Sequence, residues 1–108
     1  IEQPGVRFNY LSCNTQLLAH IVVRATGKSV SEYASEKLWI PVGAVHTALW
    51  SLDDTDGMEK AYCCFNACAR DFARLGQLIL NKGRWGNRQV VSEKLYQRSH
   101  QRSKLFAG

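Results

Sequence analysis

"FNYLSCNTQLLAHIVVRATGKSVSEYA", residues 8–34, is the stretch that decides the fold. From Thr15 to Thr26 the apolar residues Leu17, Leu18, Ile21, Val22 and Ala25 recur at helical spacing and predict one helix. Gly27 stands where a C-terminal cap belongs. Ser29 or Ser31 can cap a second helix with Glu32 in its first turn, its apolar positions Val30, Tyr33, Ala34 and Leu38, and Pro41 as its stop. The pair reads as a helix hairpin. Ahead of it, Pro4-Gly5 signals a turn, and Arg7 to Tyr10 reads as a short extended segment. Tyr10, Ser12 and Asn14 then fall on alternate positions at the entrance to the first helix. Two readings follow. Either Ser12 and Asn14 cap the helix while Tyr10 packs on it, or the three form one wall of a catalytic cleft.

Working outward, residues 41 to 60 read as loop, with Pro41, Gly43 and the run Asp53-Asp54-Thr55-Asp56-Gly57. Within it, Val45 to Leu52 suits a short extended stretch with Trp50 buried. The strongest and longest helix is expected over Ala67 to Asn81. Phe72, Leu75, Leu78, Ile79 and the Ala69/Ala73 pair form its apolar face, and Arg70, Asp71, Arg74 and Gln77 its charged face. Gly83 is its stop. Trp85-Gly86-Asn87 reads as a turn, Gln89-Val90-Val91 as extended, and Ser92 as the cap of a last helix from Glu93 to about His100. Arg102 to Gly108 carries no pattern.

Composition narrows the function classes. The 108 residues allow one domain with a modest core, and 45% apolar content is ordinary for a folded chain. No apolar run approaches the ~20 residues that span a bilayer, so no membrane span is expected. Ile-Glu-Gln-Pro-Gly at the start carries no signal-peptide pattern. The net charge of +5 comes from Lys and Arg spread from Arg70 to Lys104 without a cluster, which reads as a solvated face and argues against nucleic acid. Cys13, Cys63, Cys64 and Cys68 show neither CxxC nor zinc-finger spacing and read as small buried free thiols. Asp54 and Asp56 fit part of a calcium loop whose closing Glu is lacking, and His20, His46 and His100 have no ligand companions. No metal or cofactor is expected. Thr26-Gly27-Lys28-Ser29 has Val22 where a phosphate loop needs Gly, and there is no Gly-x-Ser-x-Gly elbow.

Read in order, "PGVRFNYLSCNTQLLAHIVVRATGKSVSEYASEKLWIPVGA" (4–44) and "NACARDFARLGQLILNKGRWGNRQVVSEKL" (66–95) resemble the serine β-lactamase and penicillin-binding protein superfamily. They look most like its class C branch, with the related esterases and 6-aminohexanoate-dimer hydrolases. The resemblance implies a mainly α chain of about four helices with long loops, the helical lobe of an α+β fold, with residues 1–108 as a single partial domain. It implies a serine nucleophile in Ser-x-x-Lys and a tyrosine that handles its proton. Tyr10 matches that tyrosine. Ser12 matches the short polar residue two positions on, and Asn14 is expected to bind substrate or cap the helix. A phenol ordinarily titrates near pH ~10 and needs a neighbouring cation to act as a base at neutral pH.

Ser-x-x-Lys occurs nowhere in the 108 residues, and neither does the Lys-Thr-Gly or His-Thr-Gly strand motif; His46-Thr47-Ala48 is misplaced and lacks the Gly. The expected function is therefore part of a serine hydrolase for an amide, lactam or ester. Such a piece is inactive alone, takes a small acyl substrate only within its parent, and is periplasmic or secreted if it follows the family. Leu11, Leu17, Trp50 and Phe65 are expected on an exposed face that favours self-association. The alternative is a small non-catalytic helical domain that binds or supports.

Overall fold

Four α-helices and two short antiparallel ribbons are found among the described residues. The computed structural model describes Gln3 and residues 6–100, the side chain of His100 excepted. The expected Pro4-Gly5 turn and the patternless tail lie outside the described residues.

Helix α1 runs from Ser12 to Thr26. It begins three residues earlier than its apolar spacing predicts. Its N-cap is Leu11, in extended conformation, and no side chain caps it. Ser12 and Asn14 are already helical, so neither occupies the one position from which a short polar group can cap. At the other end Gly27 has φ +70° and its N–H donates to the Val23 carbonyl, the expected left-handed stop.

Ser29 caps α2 (Val30–Ala34) in a reciprocal box: its side chain accepts from the Glu32 N–H, and the Glu32 carboxylate accepts from the Ser29 N–H. The helix does not run on regularly to Pro41. From Ser35 to Trp39 it widens into a π-helical turn, with the Ile40 N–H reaching back five residues to the Ser35 carbonyl.

The loop that follows folds onto itself. Strand β1 (Leu49–Trp50) pairs antiparallel with β2 (Phe65–Asn66), Trp50 opposite Phe65. A further bridge joins Leu52 to Glu59, closing the acidic tip between them. Trp50 lies in the extended stretch foreseen for it, half-buried instead of fully enclosed.

Helix α3 covers Ala69–Leu80 and is shorter than the 15-residue α1, so the longest helix is the first. It ends through Asn81, Lys82 and Gly83, whose N–H groups bond to the carbonyls of Gln77, Ile79 and Leu78. Strands β3 (Arg84–Trp85) and β4 (Arg88–Gln89) form a hairpin across Gly86-Asn87. Ser92 then caps α4 (Glu93–His100), its hydroxyl accepting from the Leu95 N–H.

The core is thin. Among the described residues the buried apolar side chains are Ala19, Val42 and Leu78. In α1 the inward stripe is Ala19, Val22, Val23 and Thr26, while the expected core residues Leu17, Leu18 and Ile21 are 59%, 61% and 55% exposed. The apolar residues of α1 occupy more than one face, so spacing alone could not choose which faces inward. In α3, likewise, Leu78 is buried but Phe72 and Ile79 are exposed, and Asp71 is buried where a solvated charge was expected.

Two glycines on and after α3 give opposite expectations. Gly76 is helical with open space where a Cβ would sit. Gly76→Ala should stabilise the chain by about 0.5–1 kcal/mol, as helix propensity dictates. Gly83 has φ +85° and backbone and side-chain atoms of Val91 where its Cβ would go. Gly83→Ala should cost about 1–3 kcal/mol. Urea titration of both variants checks the pair.

Candidate active-site segment and the aromatic recess

Tyr10 lies just before Leu11, the extended N-cap of α1, and is 82% exposed. Packing of its ring against the helix is therefore not its role in this chain. Ser12 and Asn14 are the first and third residues of α1, both exposed. Residues two apart on a helix do not face each other. The shared face expected from alternation along an extended segment is lost, because the strand-like spacing stops at Leu11.

A well-defined hollow lies elsewhere. A recess of about 610 Å³ opens between α2, the π-helical turn and the 44–50 loop. Leu38, Trp39, Val45, Trp50, Phe65 and Leu75 give it apolar walls, with Ser31, Ser35, His46 and Thr47 as polar points. Tyr10, Ser12 and Asn14 take no part in it. Phe65 is its hub: its ring meets Trp39, Trp50 and Phe72 edge-on at 5.4, 5.3 and 5.9 Å. The Trp39 indole N–H donates to the His46 carbonyl, and that of Trp50 is shared between the carbonyls of Lys60 and Cys63.

Two buried carboxylates hold this arrangement. Asp71 in the first turn of α3 is 1% exposed and accepts the Val45 N–H at 3.0 Å and the His46 N–H at 2.9 Å. It also accepts from the Cys68 thiol and from Arg74. The Val45 amide is the strongest influence on its acidity. Burial opposes it, the other donors add to it, and the pKa falls from 3.8 to about 2. Glu59, also buried, accepts the Ser31 N–H at 2.9 Å. Burial is the largest influence there and pushes its carboxyl up, but the bonds from Ser31 and Val30 outweigh it and leave the group more acidic than usual. Gln16 of α1 joins the same strip, donating to the Glu59 carbonyl and accepting from the Ala61 N–H.

Sequence reasoning missed these anchors. Asp71 shares a helical stripe with Leu75 and Leu78, at i, i+4 and i+7, and that spacing was the available sign that it points inward. The cysteine expectation is corrected as well. Cys63 and Cys64 form a disulfide between neighbours, Cys13 is exposed, and Cys68 is half-buried on Asp71. A bridge between adjacent residues requires a special backbone, and Cys64 has one, with φ +70°. Among the described residues no three His, Cys, Asp or Glu side chains converge as metal ligands.

The model of the Beta-lactamase family matches residues 1–105, and the chain belongs to that family. It is 38% identical over 86 residues to the 6-aminohexanoate-dimer hydrolase of Paenarthrobacter ureafaciens, a match covering 80% of this chain and 22% of that protein. A solved structure from Bacillus anthracis, bearing the provisional name 6-aminohexanoate-dimer hydrolase, superposes with a TM-score of 0.82 at 37% identity. That match covers 91% of this chain and 25% of the other. The chain spans about a quarter of the length of these relatives.

Asp71 yields a pH expectation. A carboxyl more acidic in the folded chain than its usual 3.8 adds stability above that value, and the contribution is lost as the pH falls toward 2. Thermal melts between pH 5 and 2 should show that loss in the wild type, and a shallower one in Asp71→Asn. At neutral pH Asp71→Ala strands the Val45 and His46 amides and should lower Tm by roughly 5–15 °C.

Proposed function

We propose that this chain is the tyrosine-bearing helical portion of a β-lactamase-like serine hydrolase that cleaves an amide, lactam or ester through an acyl-enzyme. The observation that carries the reading is the exposed Tyr10 hydroxyl at the start of α1, in a chain of this family. In the mechanism proposed for the longer protein, a serine supplied by another part of it attacks the carbonyl carbon. Tyr10, as the phenolate, takes the serine proton to become the phenol, then gives that proton to the leaving group, which restores the phenolate. Ser12 orients the groups that share this proton, and Asn14 binds the substrate amide. The name of the Paenarthrobacter relative favours an amide of an amino acid as the substrate class.

The same reading makes the 108 residues inactive alone, since they contain no Ser-x-x-Lys to supply the nucleophile. It also assigns a role to the bare apolar residues at the start of α1: Leu11 and Leu17, with Leu18 and Ile21, would pack against the rest of the longer protein and, without it, against a second copy, whereas Trp50 and Phe65, expected on that face, are half-buried against each other instead.

Two measurements test this. The isolated chain should leave nitrocefin and a p-nitrophenyl ester at their background rates, and sedimentation should detect association that grows with concentration. Covalent labelling of a serine in the chain during turnover would refute the inactive reading. In the full-length protein Tyr10→Phe should lower kcat by ~10²–10⁴ with an unchanged melting temperature. Wild-type turnover in that variant would remove Tyr10 from the chemistry.

A further inference from the structure

The segment from Lys60 to Asn66 concentrates interactions that the hydrolytic reading does not use. The Cys63 carbonyl accepts from the Trp50 indole, and the Cys64 carbonyl accepts from the Ser51 N–H at 3.1 Å and from the Asn66 side chain at 3.2 Å. The Cys63 N–H returns to the Lys60 carbonyl. The next residue, Phe65, is the hub of the aromatic cluster and pairs with Trp50 across the β1–β2 ribbon.

These contacts converge on the backbone at and just after Cys63 and Cys64. The disulfide joins those two side chains into an eight-membered ring, and Cys64 holds φ +70°, a region that a residue with a Cβ seldom adopts. The bond adds a covalent constraint to that φ, beyond the hydrogen bonds its carbonyl accepts, and opening the ring gives Cys64 access to the negative φ a residue with a Cβ favours. The bond is also within reach of a reagent: Cys64 is exposed and Cys63 half-buried.

We propose that the Cys63–Cys64 disulfide is a redox latch on the aromatic recess. A dithiol reductant opens it: one thiolate attacks a sulfur of the pair to give a mixed disulfide and releases the other as a thiolate. The second thiol of the reductant then displaces the remaining cysteine. The protein gains two electrons and two protons as two thiols, and the reductant leaves as a cyclic disulfide. Cys64 then relaxes to negative φ, the two carbonyls turn away from Trp50 and Ser51, and Phe65 loses its fixed seat between Trp39 and Trp50. The reduced chain has a looser recess wall, and the change reverses on oxidation.

The test begins with thiol counting. Denaturing alkylation of chain purified without reductant should modify two cysteines, Cys13 and Cys68, and four after treatment with dithiothreitol. A Trp85→Phe background leaves Trp39 and Trp50 as the fluorophores. Reduction should red-shift their emission and speed amide exchange across residues 50–66, and reoxidation should restore both. Cys68→Ser should keep the response. Cys63→Ala/Cys64→Ala should start in the loosened state and ignore dithiothreitol. Four alkylated cysteines before reduction would overturn the proposal. So would a bridge whose opening leaves emission and exchange unchanged. Both readouts are independent of hydrolysis, so they stand or fall apart from the role given to Tyr10.

Discussion

The described structure depends on one carboxylate more than on any apolar cluster. Asp71 sits at the start of α3 and takes the amides of Val45 and His46 with its two oxygens. Those amides belong to an irregular segment with no strand partner of its own. Peptide N–H groups outside a helix or ladder still need acceptors, and here a helix supplies them through a side chain. Once residues 45 and 46 are fixed, the His46 carbonyl can receive the Trp39 indole, and the π-helical turn is joined to the loop. Trp39, one of the three rings that meet Phe65 edge-on, is thereby tied to the loop that Asp71 holds. An acid in this role is suited to donors that converge from the backbone, since an ionised carboxylate accepts without donating.

Helix existence was legible in the sequence, and helix orientation was not. The Gly27 stop, the Ser29–Glu32 box and the Ser92 cap are local chemistry, and each occupies its expected place. The inward faces of α1 and α3 were misjudged because periodicity ranks residues by polarity alone. Leu17, Leu18 and Ile21 make a good apolar stripe, but Ala19 and Val22 are small enough to let α1 approach its neighbours. The pairing of residues 49–50 with 65–66 was invisible for a related reason. Two residues per strand carry no alternation to read, and a loop closure of this length leaves no local trace. The bridge between adjacent cysteines was missed because it depends on a left-handed residue that propensity gives to glycine.

The candidate active-site segment divides in the same way. Tyr10, Ser12 and Asn14 were singled out by motif order, which records ancestry and not contacts. All three are exposed and none lines the aromatic recess, whose walls include Leu38, Trp39 and Leu75 from the same family-like stretches. The family assignment and the packing therefore share residues, Asp71 among them. The first draws on motif order across the chain, the second on Glu59, Phe65 and Asp71.

Gln16 carries a consequence of its own. Its side-chain amide gives an N–H to the Glu59 carbonyl and takes the N–H of Ala61, so it meets residues 59 and 61 as a neighbouring strand would. A helix cannot offer its own peptides sideways, because they are engaged along its axis. The glutamine is a peptide surrogate on a flexible arm, and it lets α1 lie beside an extended segment as if it were one more rung of a ladder. Among the standard side chains only asparagine shares that donor-acceptor pair, and its arm is a methylene shorter. Glutamate has the right length but only acceptors, so it would satisfy Ala61 and set an anion against the carbonyl of Glu59. That position should tolerate changes of hydrophobicity around it far better than a change of its amide nitrogen to oxygen.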